Sequence, residues 1–173
     1  MRNIQVNILD PKSIDKAIKE LNAYKKEVED KTVELVKRLI TNGVAIARVK
    51  LVEYGAYYSG ELYDSIDGYY NASTHTGFVR VTNDHAAFIE FGTGPQGSAS
   101  PHPTIPMNYK SEGWFTKADG KPMDAIYGWK PYALKNGDIV YYTEGQTSKP
   151  FMYSTAKQLE QDYLRVAKEV FAK

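Results

Sequence analysis

Residues 13–54, SIDKAIKELNAYKKEVEDKTVELVKRLITNGVAIARVKLVEY, decide the fold. Ile14, Ile18, Leu21, Val28, Leu35, Leu39 and Ile46 recur at spacings of three, four and seven, which draws one apolar stripe along an α-helix. Lysines and glutamates fill the other faces. Asp15 with Lys19, Glu27 with Lys31 and Glu34 with Arg38 place acid before base four residues apart, the order that supports a helix. At about 1.5 Å per residue such a helix runs for roughly 60 Å. That is longer than a domain of this size, so part of it must project, pack on a neighbour or bend. Asn42-Gly43 is the expected bend, and Ser13 the expected N-cap after the stop at Asp10-Pro11.

On the N-terminal side, Asn3–Leu9 puts Ile4, Val6 and Ile8 on one face, the period-two pattern of a half-buried strand. On the C-terminal side, Tyr57 to Gly60 close the helix, and Leu62 and Ser65-Ile66 lead into short strands. Residues 77–82, GFVRVT, alternate as a strand. Asn83-Asp84 form a turn, 85–91 a short apolar segment, and Gly92 its cap. Six prolines punctuate 94–148, where 107–115, 126–131 and 138–143 read as short strands, with a mobile tip at 96–103. From Pro150 the chain turns helical again, with Leu159, Tyr163, Val166 and Val170 as its stripe. The sequence therefore predicts a single α+β domain over 1–173. Its core is 1–94 and 149–173, a long N-terminal helix, a small antiparallel β-sheet and a C-terminal helix, with a β-rich insertion at 95–148.

Composition narrows the function. With 22 basic and 21 acidic residues the net charge is +1, so no bulk attraction to nucleic acid or an anionic membrane is expected. There is no cysteine, which removes disulfides, thiolate metal sites and cysteine nucleophiles. No apolar run approaches a membrane span, and the N-terminus lacks the apolar stretch of a signal peptide, so synthesis in the cytoplasm is expected. The chain has 14 tyrosines against six phenylalanines and two tryptophans. Tyrosine suits surfaces wet before assembly and buried afterwards, although the same count also fits half-exposed strand faces.

Little chemistry is visible. His75, His85 and His102 stand apart from one another and from any metal-ligand spacing, and each reads as solvated or singly hydrogen-bonded. Asp84, His85 and Glu90 are close in sequence, yet Ala86 and Ala87 beside them fit a capped, packed helical turn better than acid–base catalysis. Gly92 to Gly97 lacks the Gly-Lys-Ser/Thr ending of a phosphate loop. The lysines of 16–38 are interleaved with acids and read as a solvated face. No catalytic, cofactor-binding or metal-ligating set is expected, and no cofactor.

Three segments carry a family likeness: Ser59-Gly60-Glu61-Leu62-Tyr63-Asp64-Ser65-Ile66 after the long helix, His85-Ala86-Ala87-Phe88-Ile89-Glu90-Phe91-Gly92-Thr93-Gly94 after a strand, and Lys149-Pro150-Phe151-Met152-Tyr153 at the entry to the last helix. Their order resembles the putative tail-component family of long-tailed phages. The resemblance implies a non-catalytic structural protein of the virion: a neck or tail-completion subunit at the head–tail junction. It further implies a ring of identical copies that contacts connector and tail-tube or tail-terminator proteins. It covers roughly 1–94 and 149–173 and says least about the insertion. Within the second motif, Glu90 lies among apolar residues, so its carboxylate requires a backbone amide or a basic partner. A carbohydrate- or receptor-binding phage module is the alternative, since Trp114, Tyr127, Trp129 and Tyr132 offer stacking surfaces; a phage-associated hydrolase ranks below both.

Overall fold

The computed structural model describes residues 3–117 and 123–172. Helix α1, Pro11–Glu53, is 43 residues long and unbroken. Its N-cap is Asp10, whose side chain accepts from the Lys12 amide, and Pro11 occupies the first turn, where no amide is needed. Ser13 is therefore not the cap; its hydroxyl accepts from the Asn7 amide at 2.9 Å instead. Asn42-Gly43 does not interrupt the helix either. Gly43 is there for closeness: a β-carbon would sit 2.6 Å from Val79 Cγ2 and 3.1 Å from Leu159 Cδ1.

The short helix α2, Glu61–Asp64, leads into the hairpin β1, Ile66–Asn71, and β2, Thr76–Val81, which pair antiparallel with Ile66 opposite Val81. Gly68 and Gly77 lie against Ile40, so the hairpin rests flat on α1. Helices α3, Ala86–Phe91, and α4, Gly94–Ala99, follow. The insertion then forms β3, Trp114–Lys117, α5, Met123–Tyr127, β4, Lys130–Ala133, and β5, Ile139–Thr143. Its three strands make a separate antiparallel sheet in the order β3-β5-β4. The last helix, α6, spans Phe151–Phe171.

Fully buried Ala47, Leu51, Ile66 and Phe151 form the centre, with Val44, Leu62, Val79, Val81, Ile89 and Met152 packed around them. Each large side chain among them is worth about 1.5–3 kcal/mol when removed from water. Helix α6 runs back along the C-terminal half of α1: Tyr54 Oη and Ser154 Oγ lie 2.9 Å apart, and Leu159 meets Gly43. Glu169, near the end of α6, shares a groove with Asp30 and Val33. The first turns of α1 thus extend past the end of α6. There Ile14, Ile18, Leu21 and Tyr24 are exposed, and Ala17 is the one buried residue among those described.

The mixed helix-and-sheet architecture is the expected one, and several local assignments differ. Asn3–Leu9 is not a strand; it is coil ending in a turn, because among the described residues no strand lies beside it to take its backbone hydrogen bonds. The 96–103 stretch is no loose tip. Helix α4 occupies its first half, and Gly97 packs on the ring of Tyr109. Of 107–115 only the end is strand, and Ile126-Tyr127 close helix α5. On α6 the buried face is Phe151, Thr155, Val166 and Val170, while Tyr163 points outward at 48% exposure. Its polar tip makes that the cheaper arrangement.

Candidate functional site

The second and third motifs meet at the start of α6. That helix begins after Pro150, which carries no capping side chain, so its first amides require an acceptor from elsewhere. Glu90, on α3, supplies it. One carboxylate oxygen accepts the Met152 amide at 2.9 Å and the other the Tyr153 amide at 2.8 Å. The residue is 7% exposed, and its negative charge faces the positive end of the helix. The partner required by an acid in an apolar segment is therefore a pair of backbone amides.

His102 closes this arrangement from the other side. Its Nδ1 accepts from the amides of Thr104, at 3.3 Å, and Ile105, at 3.2 Å. With Nδ1 an acceptor, the ring proton belongs on Nε2, which donates to Glu90 at 3.4 Å. The rings of Phe91 and Tyr153 flank it at 5.0 and 5.3 Å. His102 is thus buried and engaged at both nitrogens, not solvated. His75 does keep a single side-chain bond, to the hydroxyl of Tyr70.

The glycines of the second motif allow the chain to fold back on itself. Gly92 and Gly94 both have positive φ, at 75° and 61°. A β-carbon on Gly92 would meet the Ser148 amide at 2.6 Å, and one on Gly94 the Glu144 carbonyl at 2.6 Å. Between them Thr93 pairs with Gln146 as an isolated antiparallel bridge, with N–O distances of 2.8 and 3.1 Å. The Tyr109 hydroxyl donates to the Phe91 carbonyl, and the Ser148 hydroxyl to that of Glu90. The Glu90 to Gly94 segment is therefore a clamp on residues 144–153. Thr93 also lines a cleft shared with Ser59, Gly60 and Leu62 of the first motif. Gly60 caps α2 with φ at 86°, the Ser65 hydroxyl donates to the Leu62 carbonyl, and the next residue, Ile66, lies in the core.

That cleft measures about 370 Å³. Tyr57 and Tyr58 approach it from the end of α1, Phe88 and His85 from α3, and Trp114, Tyr127 and Trp129 from the insertion. Tyr127 stacks on Trp129 at 5.0 Å and meets Tyr58 at 6.2 Å. Tyr132 lies outside it, packed edge-on against Phe115. The sequence grouped the insertion's aromatics but gave no sign that Tyr57, Tyr58 and Phe88 join them.

Asp84, His85 and Glu90 do not converge. His85 lines the aromatic cleft, whereas Glu90 lines an apolar groove beside β2. Gly92 to Gly97 forms the clamp and a one-turn helix. Among the described residues no group of three histidines or acids is placed to hold a metal ion, and no helix is long and apolar enough to cross a membrane. Comparison of the chain with protein families, with curated proteins and with solved structures found no match.

Proposed function

We propose that the chain is a structural subunit of a phage or prophage virion, a neck or tail-completion protein that assembles in several copies at the head–tail junction and catalyses nothing. The observation that carries the assembly reading is unburied surface. The chain exposes 12091 Å², against roughly 8500 Å² for a compact monomer of its 19.5 kDa mass. Part of the excess is the projecting half of α1, whose apolar stripe of Ile14, Ile18, Leu21 and Tyr24 faces water. An amphipathic helix in that state favours a partner surface. The junction assignment itself comes from the three motifs, two of which are locked together by the Glu90 clamp.

The test replaces Phe115–Tyr142 with a short Gly/Ser bridge in the phage that encodes the chain. Trp114 and Thr143 are opposite one another in the β3-β5 pair, so a short bridge joins them without pulling on the clamp. The expected result in electron micrographs is full heads and separate tails, with the variant protein soluble and folded. Normal virions would make the insertion decoration and remove its role in joining.

The aromatic cleft favours a second reading, a carbohydrate-binding module. Trp114, Tyr127 and Trp129 do come together there, with Asn83, Glu61 and Gln146 at hand to bond hydroxyls. A glycan array probed with the wild type and with Trp129→Ala decides it: a hit lost in the variant supports the reading, and a blank array removes it.

A further inference from the structure

We propose that Asn3–Leu9 of one copy adds as a strand along the outer edge of β2 in a second copy, seating its apolar side chains in the groove beside that edge. The inference rests on the reading of the chain as a self-assembling subunit and names the contact between copies.

Four observations meet here. First, β2 has one strand partner among the described residues, β1, so its other edge presents backbone amides and carbonyls to the surroundings. Second, a groove of about 440 Å³ runs beside it, lined by Val79, Arg80 and Val81 in succession. Neighbouring residues of a strand point to opposite faces, so a groove touching all three follows the edge and not one face. Its other wall includes Ala87, Ile105 and Met152. Third, Asn3–Leu9 alternates in Ile4, Val6 and Ile8 as a strand and pairs with no strand among the described residues. Val6, Ile8 and Leu9 stand 48, 80 and 88% exposed, while Ile4 is half-buried. The Asn7 amide is held by the Ser13 hydroxyl, a bond that docking exchanges for one to β2. Fourth, the charges agree. The segment carries none, and the two charged groups of the groove are already engaged, Arg80 with Asp67 and Glu90 with the start of α6. Docking therefore strips water from no bare charge.

Reach excludes the contact within one chain. Gly43 abuts Val79, and at about 1.5 Å per residue it lies roughly 50 Å along α1 from Pro11. An extended segment of the length of Asn3–Leu9 spans about 25 Å at most. The donor must be another molecule. Because arm and groove are different surfaces, the contact is head-to-tail, and repetition closes a ring or runs on as a filament. Backbone bonds along β2 supply affinity, and the apolar groove fixes register.

The sequence has no cysteine, which makes the test clean. Val6→Cys and Ile105→Cys are made separately in the full chain, one carrying a mass tag, then mixed and mildly oxidised. The expected product is the mixed disulfide, at about tenfold the yield of either homodimer, because docking raises the local thiol concentration. Val6→Asp, at a position exposed in the single chain, should lower the weight-average mass in light scattering and leave the helical circular-dichroism signal unchanged. No excess of mixed disulfide overturns the contact. Persistent self-association without that excess does so while leaving the subunit reading in place. The mixed disulfide in a protein whose phage joins heads to tails normally after loss of the whole gene keeps the contact and removes the junction.

Discussion

Glu90 accepts the Tyr153 amide at 2.8 Å across a sequence separation of 63 residues. This one carboxylate ties α3 to α6 and, through His102, to the segment that leaves α4. Glu90→Ala would leave the Met152 and Tyr153 amides and His102 Nε2 buried without an acceptor. We expect a loss of about 3 kcal/mol, since bonds to a charged group contribute about 1.5–3 kcal/mol and orphaned donors add to that. Glu90→Gln keeps one acceptor oxygen and should lose less. Denaturant melts of the two variants check the order.

Helix α6 offers an internal contrast. Val166 is 2% exposed and Tyr163 is 48% exposed. Val166→Asp should cost several kcal/mol because a carboxylate would enter an apolar contact without a partner. Tyr163→Asp should change stability by less than about 0.5 kcal/mol. Equal melting of both variants would contradict the packing of α6 on α1.

At Gly43, α1 meets both the hairpin, through Val79, and α6, through Leu159. Gly43→Ala should destabilise the fold by about 1–3 kcal/mol, despite alanine's better helix propensity, since Val79 must move to admit the methyl group. A stabilised variant would show that Val79 gives way freely.

Acid should loosen the hairpin. The Asp67 carboxyl is held below its usual range by the Gly68 amide and then by the Arg80 guanidinium. A carboxyl depressed in the folded state contributes stability above its ordinary unfolded value, and that contribution fades as pH falls through the folded value. Amide exchange in β1 and β2 should therefore quicken at acid pH below the ordinary carboxylate range. In Asp67→Asn this acid step should disappear.

Much of this fold is legible from residue spacing. The period of α1 and the alternation of β2 are local properties, and the chain obeys them. What escaped depends on what lies opposite. Asn42-Gly43 reads as a break by propensity, yet tertiary approach by Val79 and Leu159 explains the glycine. Tyr163 fits the stripe by spacing and leaves it because its hydroxyl prefers water. Asn3–Leu9 has the pattern of a strand but, among the described residues, no strand beside it. At the clamp, the need of Glu90 for a partner was readable; that the partners would be Met152, Tyr153 and His102 was not. Nothing in the order of residues brings those segments together until the fold exists.

The pairing of Trp114 with Thr143 has a consequence for how such a chain changes over generations. The polypeptide departs from the clamp and returns to it at neighbouring positions, so what lies between is a cassette with a fixed socket. Loop-closure entropy grows slowly with length, about 0.6 kcal/mol for each doubling. Recombination can therefore lengthen, shorten or exchange the cassette while Glu90, Gly92, Gly94 and the start of α6 keep their geometry. The rim of the aromatic cleft, built partly by Tyr127 and Trp129 of that cassette, would change with it without retuning the core.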